Sequence, residues 1–253
     1  MTAGSRALSF DVAAAQYAAS RPAYPAALFD DLEESTGSRL AGARVADVGA
    51  GTGIATALLR ERGAEVVAVE PGGAMAGEFR RALPDVPVVR GDGNALPLAD
   101  ASCDLVTYAQ SWQWTDPGRA RPEALRVLRP HGALAIWWNT TAFDVPWIRA
   151  QHARIAQHCG VEPRPAVRPP DGEAVRLAGL TGLRVTRRQL RWSRTVSLDV
   201  HLANLGSRSA FLVLGEDGRR AFLADERVRL GRMFPGEEVE ETYVVDLLVA
   251  RHP

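Results

Sequence analysis

Val45-Ala46-Asp47-Val48-Gly49-Ala50-Gly51-Thr52-Gly53, running into Ile54-Ala55-Thr56-Ala57-Leu58-Leu59-Arg60, is the stretch that decides the fold. It reads as an apolar strand with one acidic residue inside it, a glycine-rich turn and a helix, the opening of a βαβ unit. Glycines in such a turn let a ligand lie against the backbone where any Cβ would collide, and they leave amides exposed at the start of the helix. The bland alternative is a turn that only packs a helix on a strand. A dinucleotide fingerprint would place glycine at position 54, and Ile54 stands there instead. The same turn with Asp47 two residues before its first glycine suits S-adenosylmethionine (AdoMet) better.

Outward from that turn the alternation continues. EVVAVE, VPVVRG, CDLVTYAQ and ALAIWWN read as strands, with GAMAGEFRRAL and PGRARPEALRVLRP as helices between them, the second closed by Pro130. Strands alternating with helices imply a parallel sheet. Pro87 lacks an amide donor, so the third strand is expected at an edge. A helix is expected near Val145 to His158, then a proline-rich surface loop at 162–170. GLRVTRRQLRW and EETYVVDLLVA read as two more strands around a mostly helical insertion from Ser193 to Glu238, and residues 8–37 as two short helices around the RPAYP break. The chain is thus expected to be a single domain over 1–253. Residues 1–42 form an N-terminal helical cap, 43–192 and 239–253 a ligand-binding core, and 193–238 an insertion or lid.

Strand ends carry the next signals. Glu70 closes the second strand, where open α/β sheets set a carboxylate against a ribose, though strand-end glutamates are often simply solvated. Asp92, in Arg90-Gly91-Asp92-Gly93-Asn94, follows the third strand and could accept from an adenine amino group; the alternative is an aspartate bonding its own turn. Acidic or glycine-rich features at the ends of three successive strands point jointly to one ligand, because ligands bind outside those ends.

Composition narrows the partners. Of 253 residues 46% are hydrophobic, enough for a sizeable core, and 30 basic side chains balance 30 acidic ones. No global field recruits nucleic acid or an anionic membrane, so a small, roughly neutral molecule is the better partner. The basic residues are all arginine, which excludes Schiff-base lysine chemistry and a Walker phosphate loop. Cys103 and Cys159 have neither disulfide-framework nor metal-ligand spacing. With no leader-like start and no run near the roughly 20 apolar residues of a membrane span, a cytoplasmic protein is expected.

The chain resembles the methyltransferase type 11 group of class I methyltransferases, which includes trans-aconitate methyltransferase-like enzymes. The likeness runs through Phe10, Tyr17-x-x-x-Arg21-Pro22-x-Tyr24-Pro25, the glycine motif, Glu70, Gly91-Asp92 and Gln110-Ser111-Trp112-Gln113-Trp114. It continues through Glu123 with Arg126-Val127-Leu128-Arg129-Pro130, then Trp138-Asn139, Pro146-Trp147 and Ser207-Arg208-Ser209. It implies a Rossmann-like α/β fold with a seven-stranded sheet of order 3-2-1-4-5-7-6 and strand 7 antiparallel. The helical cap and the insertion between strands 6 and 7 would close over the pocket. It also implies AdoMet as cofactor, S-adenosylhomocysteine (AdoHcy) as product and methyl transfer to a small molecule in a biosynthetic pathway. A non-catalytic AdoMet-binding or regulatory protein of the same fold is the alternative.

The cofactor-binding candidates are Tyr17, Arg21, Asp47, Gly49, Ala50, Gly51, Gly53, Glu70, Asp92, Gly93, Asn94 and Gln110. Tyr17 and Arg21, four apart on one helix face, would fold over the methionine end, with Arg21 pairing its carboxylate. The substrate-pocket candidates are Trp112, Gln113, Trp114, Asn139 and His201. Trp112 and Trp114 either wall the site near the sulfonium or pack in the core. Gln113 stands where the family has histidine; it either orients the acceptor or bonds a neighbouring backbone, and it does not titrate near neutrality. No residue is assigned as catalytic and no metal is expected: His152 and His158 share a helix but lack a third ligand. His131 replaces a family turn glycine. The arginines at 184, 187, 188, 191 and 194 are expected to guard an outer strand rather than grip RNA.

Overall fold

The computed structural model describes residues 21–160, 169–207, 211 and 215–252. Helix α1 (Ala26–Thr36) starts behind Pro25 and stops at Gly37, whose φ of +64° ends the helical path. It buries Leu28, Phe29 and Leu32 on the sheet. There follow β1 (Arg44–Val48), α2 (Ile54–Glu61), β2 (Glu65–Val69), α3 (Gly73–Ala82), β3 (Val88–Val89) and β4 (Cys103–Ala109). Next come α4 (Pro117–Val127), β5 (Leu128–Thr141), α5 (Pro146–Cys159), α6 (Asp171–Leu177) and β6 (Arg184–Ser197). The chain then forms α7 (Leu198–Gly206), α8 (Gly215–Met233) and β7 (Glu238–Arg251).

The seven strands form one sheet of order β3-β2-β1-β4-β5-β7-β6, with β7 antiparallel to both its neighbours. β1 is buried on both faces, as a central parallel strand must be. One face packs α1, α2 and α3 over Val45, Leu105, Ala135, Trp137 and Leu247. The other packs α4 and α6 over Val48, Val106, Tyr108, Ile136 and Leu248. A third cluster ties α5 to α7 and α8 through Ile155, Leu202, Leu205, Phe222 and Leu230. The inserted helices therefore have a small core of their own.

β3 is an edge, as Pro87 requires; the proline sits just before the strand and lends its carbonyl to Ala68 N at 2.9 Å. Two expectations need correction. Pro130 does not close a helix: α4 ends at Val127 and Pro130 lies in the first turn-free residues of β5, because the residue before a proline is pushed to extended backbone. The insertion starts at Leu198 rather than Ser193, since β6 stays paired with β7 from Arg184 to Ser197. The short helix α6 follows the proline-rich connection, of which residues 162–168 lie outside the described residues.

His131 has a φ of +70°, a left-handed conformation that favours glycine. Four of the β6 arginines are held by carboxylates. Arg187 forks onto Asp246 at 2.6 and 2.7 Å and also reaches Asp171, while Arg188, Arg191 and Arg194 meet Glu34, Asp144 and Glu241.

Candidate functional site

The glycine turn sits at the carboxyl ends of β1 and β2, where β3-β2-β1 and β4-β5 wind in opposite senses. Four of its amides are engaged within the protein. Gly49 N and Ala50 N donate to Val69 O, Gly53 N donates to Ala50 O, and Gly51 N donates to Glu70 Oε2 at 2.8 Å. Glu70 also accepts from Gly72 N at 2.7 Å, so a 6% exposed carboxylate pins both turns together. Gly49 packs against Ser111, too close for a side chain.

Gly51 and Gly53 differ in what they need. Gly53, at φ +92°, would drive a Cβ to 2.7 Å from Leu83 Cδ1 and 3.0 Å from Phe79. It is a packing glycine. Gly51, at φ +59°, would point a Cβ into open space. Its own amide is the one held by the Glu70 carboxylate. Thr52, between the two, keeps a buried hydroxyl without a hydrogen-bond partner.

Asp47 lies beneath the turn rather than at its surface. It is fully buried, with Thr56 Oγ1 donating at 2.6 Å and Thr107 Oγ1 at 3.0 Å. Burial raises its carboxyl above the ordinary aspartate value, against the pull of those two bonds. Its role is to tie β1 to α2 and β4 beneath the turn. The Asp92 turn is built the same way. Asp92 Oδ1 accepts from Asn94 N and Nδ2, both at 2.9 Å, and Asn94 Oδ1 accepts from Asp116 N at 2.7 Å. Gly93 is buried against Thr115, Val48 and Tyr108, and its carbonyl accepts from Tyr108 OH. Asn94 and Gly93 therefore shape the loop, leaving exposed Asp92 at its surface.

At the end of β4, Gln110 turns with a φ of +60° and donates from Nε2 to Asn139 O at 2.8 Å. Trp112 is a core residue, 3% exposed, edge-on to Tyr108 and donating to Ala178 O. It does not wall the site, because the tight turn over 112–114 sends it to the α6 side of the sheet. Trp114 is half-buried in the same turn. Gln113 is exposed and spends both ends of its amide within the protein, donating to Gln110 O at 2.6 Å and accepting from Trp138 Nε1 at 2.8 Å. That is the backbone-bonding alternative.

Asn139 stands on the opposite face from Trp138 and accepts from Trp192 Nε1 at 3.0 Å. His201 is 3% exposed and does not face an open pocket. Its Nδ1 is 2.7 Å from Glu241 Oε1 and its Nε2 is 3.0 Å from Gln151. Glu241 also accepts from Arg194, Asn204 and Tyr243. Burial alone would raise this carboxyl; the His201 bond and charge, then Arg194 and Tyr243, outweigh burial and hold it down at about 2. Gln151 continues the chain to Glu226, which Arg154 grips.

Arg21 reaches Ser207 O at 3.4 Å and its own carbonyl meets Arg194, so the start of the described chain leans on the inserted helices. Tyr17, Phe10, Arg208 and Ser209 lie outside the described residues. His152 is edge-on to Phe143, and His158 contacts Gly218 O and the Phe222 ring. The sequence reading missed Trp137, Trp192, Tyr243 and Glu241. Their signal was the every-second-residue spacing on β5, β6 and β7, visible only once the three strands are in register.

Comparison with known proteins follows the same lines. Residues 46–136 match the family model described as a methyltransferase domain. An uncharacterized methyltransferase of Mycobacterium tuberculosis is 45% identical over 142 residues, 56% of this chain and 56% of that protein. The chain thus aligns with about half the length of the curated relatives it matches. A demethylmenaquinone methyltransferase of Beutenbergia cavernae is 39% identical over 107 residues, 42% of this chain and 43% of that one. A solved structure from Anaeromyxobacter dehalogenans, provisionally assigned as a type II methyltransferase, superposes with a TM-score of 0.65 at 25% identity, covering 91% of this chain and 97% of that one.

Proposed function

We propose, from the premise that this chain carries a class I methyltransferase domain of the type 11 group, that it is an AdoMet-dependent enzyme methylating a small molecule in a biosynthetic pathway. The observation that carries the reading is the buried Glu70 carboxylate beside Gly51, where the backbone faces open space. When bound, AdoMet would supply a methyl group already activated by a sulfonium. Glu70 would accept from both ribose hydroxyls, exchanging the Gly51 and Gly72 amides for them or sharing its lone pairs. Gly51 would give the flat surface, Asp92 would accept from the adenine amino group, and Asp47 would hold the turn rigid from below. The unpartnered Thr52 hydroxyl fits a site that awaits a polar ligand.

For the acceptor, alignment and exclusion of water can supply much of the rate. Residues 1–42 and the inserted helices would do the excluding, and Arg21 and Tyr17 would close over the methionine end. Free cysteines and the lack, among described residues, of a helix long and apolar enough to cross a membrane fit a cytoplasmic setting. A non-catalytic AdoMet-binding protein is the second reading, favoured by a Gln113 whose amide is fully engaged.

Calorimetry with AdoHcy tests the first step. The wild type should bind it, and Glu70→Ala should bind at least about tenfold more weakly, the worth of a lost charge-assisted bond. Unchanged affinity in a folded variant would remove Glu70 from the site. Release of AdoHcy from AdoMet with any acceptor in a metabolite panel would separate the enzyme from the non-catalytic binder.

A further inference from the structure

Among the described residues, two hydrogen-bond donors on β5 are sealed from water and meet no acceptor: Trp137 Nε1 and Asn139 Nδ2. Strand alternation puts them on the same face, two residues apart. The orientation of the Asn139 amide is fixed by its neighbour. Trp192 Nε1 faces Asn139 Oδ1 at 3.0 Å, and an indole N–H can only donate, so the oxygen is the matched end and the nitrogen the unmatched one. Gln110 Nε2 holds the Asn139 main chain, and the next residue, Ser111, abuts Gly49 and bonds Val48 O. Asn139 is thereby tied to the end of β4 that borders the glycine turn.

Native interiors rarely keep such donors empty; a ligand or an ordered water meets them. The surroundings say which kind of ligand. Trp192 stacks on Tyr243 with ring centroids 5.2 Å apart, and Tyr24 stands edge-on to Trp137 at 5.8 Å. Aromatic side chains of this sort favour flat, apolar partners. The Glu241 carboxylate on this face is matched by Arg194, His201, Asn204 and Tyr243, and it neutralises Arg194 at 2.7 Å. Both empty donors are uncharged.

We infer that Asn139 Nδ2, with Trp137 Nε1 beside it, receives a carbonyl-type oxygen of a planar, uncharged acceptor, making Asn139 a specificity-determining residue. The inference rests on the methyl-transfer reading above and names the substrate class for it.

The test uses the full chain saturated with AdoHcy and three bicyclic probes: coumarin, naphthalene and 2-naphthoate. Coumarin should bind at least about tenfold tighter than naphthalene, the worth of one well-made bond to a buried donor, and tighter than 2-naphthoate. It alone should shift the Asn139 side-chain amide cross-peak in a proton–nitrogen correlation spectrum. Asn139→Asp keeps an oxygen toward Trp192 but replaces the donor with an acceptor, and should erase the coumarin preference while AdoHcy affinity stays within about threefold. If that variant does not fold, Trp192→Phe keeps a ring but frees the amide to flip and should weaken coumarin alone. Equal binding of coumarin and naphthalene, preference for 2-naphthoate, or an Asn139 cross-peak unmoved by coumarin would overturn the inference. Failure of the wild type to bind AdoHcy would instead sink the methyl-transfer reading, and the same probe contrast on the unloaded chain would still judge Asn139.

Discussion

Replacing Glu241 by glutamine keeps the shape of the side chain and removes its charge, and the consequence depends on pH in a calculable way. The carboxylate is 3% exposed and receives His201, Asn204, Arg194 and Tyr243, which hold its pKa at about 2 against an ordinary 4.5. A group whose pKa is depressed on folding stabilises the fold above its unfolded value and loses that contribution as pH falls through the folded one. The gap between the two values is worth about 3 kcal/mol at about 1.4 kcal/mol per pH unit. At pH 3 roughly 1.4 kcal/mol of it remains, so lowering the pH from 7 to 3 removes about 2 kcal/mol through this group. Glu241→Gln lacks that term and also leaves Arg194 without its partner at 2.7 Å, a loss of about 3–5 kcal/mol when a buried pair is broken on one side. Urea titrations of wild type and variant at pH 7, 5, 4 and 3 measure both. The variant should be less stable at pH 7, and the gap should narrow by about 2 kcal/mol by pH 3, roughly 0.7–1 M in midpoint for a slope of about 2–3 kcal/mol per M. A gap that stays constant from pH 7 to pH 3 would refute the assignment of Glu241 as a charged, depressed carboxylate.

Gly51→Ala should cost only about 1–2 kcal/mol, the strain of a left-handed alanine, because its methyl meets open space; AdoHcy affinity should nevertheless collapse, and calorimetry beside a thermal melt reads the two separately. Gly53→Ala should do the reverse in emphasis, losing more stability than Gly51→Ala because Leu83 and Phe79 must move. A Gly51→Ala protein that binds AdoHcy normally would show that no ligand lies on the turn. Arg187→Met should destabilise by about 3–5 kcal/mol in chemical denaturation, since the 5% exposed guanidinium is the partner of Asp246; a change below about 1 kcal/mol would mean that Asp246 finds another donor. Gln113→Ala should leave the pH profile of any methyl transfer without a gained or lost ionisation, and Gln113→His should add a step near the ordinary histidine range, about pH 6–7.

The sequence by itself determined the sheet and the place of the glycine turn at its switch point. Periodicity over residues 44–139 separates strands from helices because burial on one face leaves a local, repeating mark. Val45 to Gly53 marks the central strand and its turn for the same reason, and Pro87 marks the edge by lacking an amide. What periodicity does not carry is which polar group a side chain meets across the fold. Asp47 and Glu70 are both acids near the same turn, yet Thr56 and Thr107 absorb the first while Gly51 and Gly72 hold the second beside open space. Trp112, Gln113 and Trp114 are consecutive, but the turn they form sends the first into the core and leaves the second at the surface. His201 is isolated from other histidines along the sequence yet is the centre of a buried network in space, because β7 carries Glu241 under it from 40 residues away. Contacts of that range depend on strand register and helix placement, which are set by the packing of the whole sheet, so the tertiary structure alone decided them.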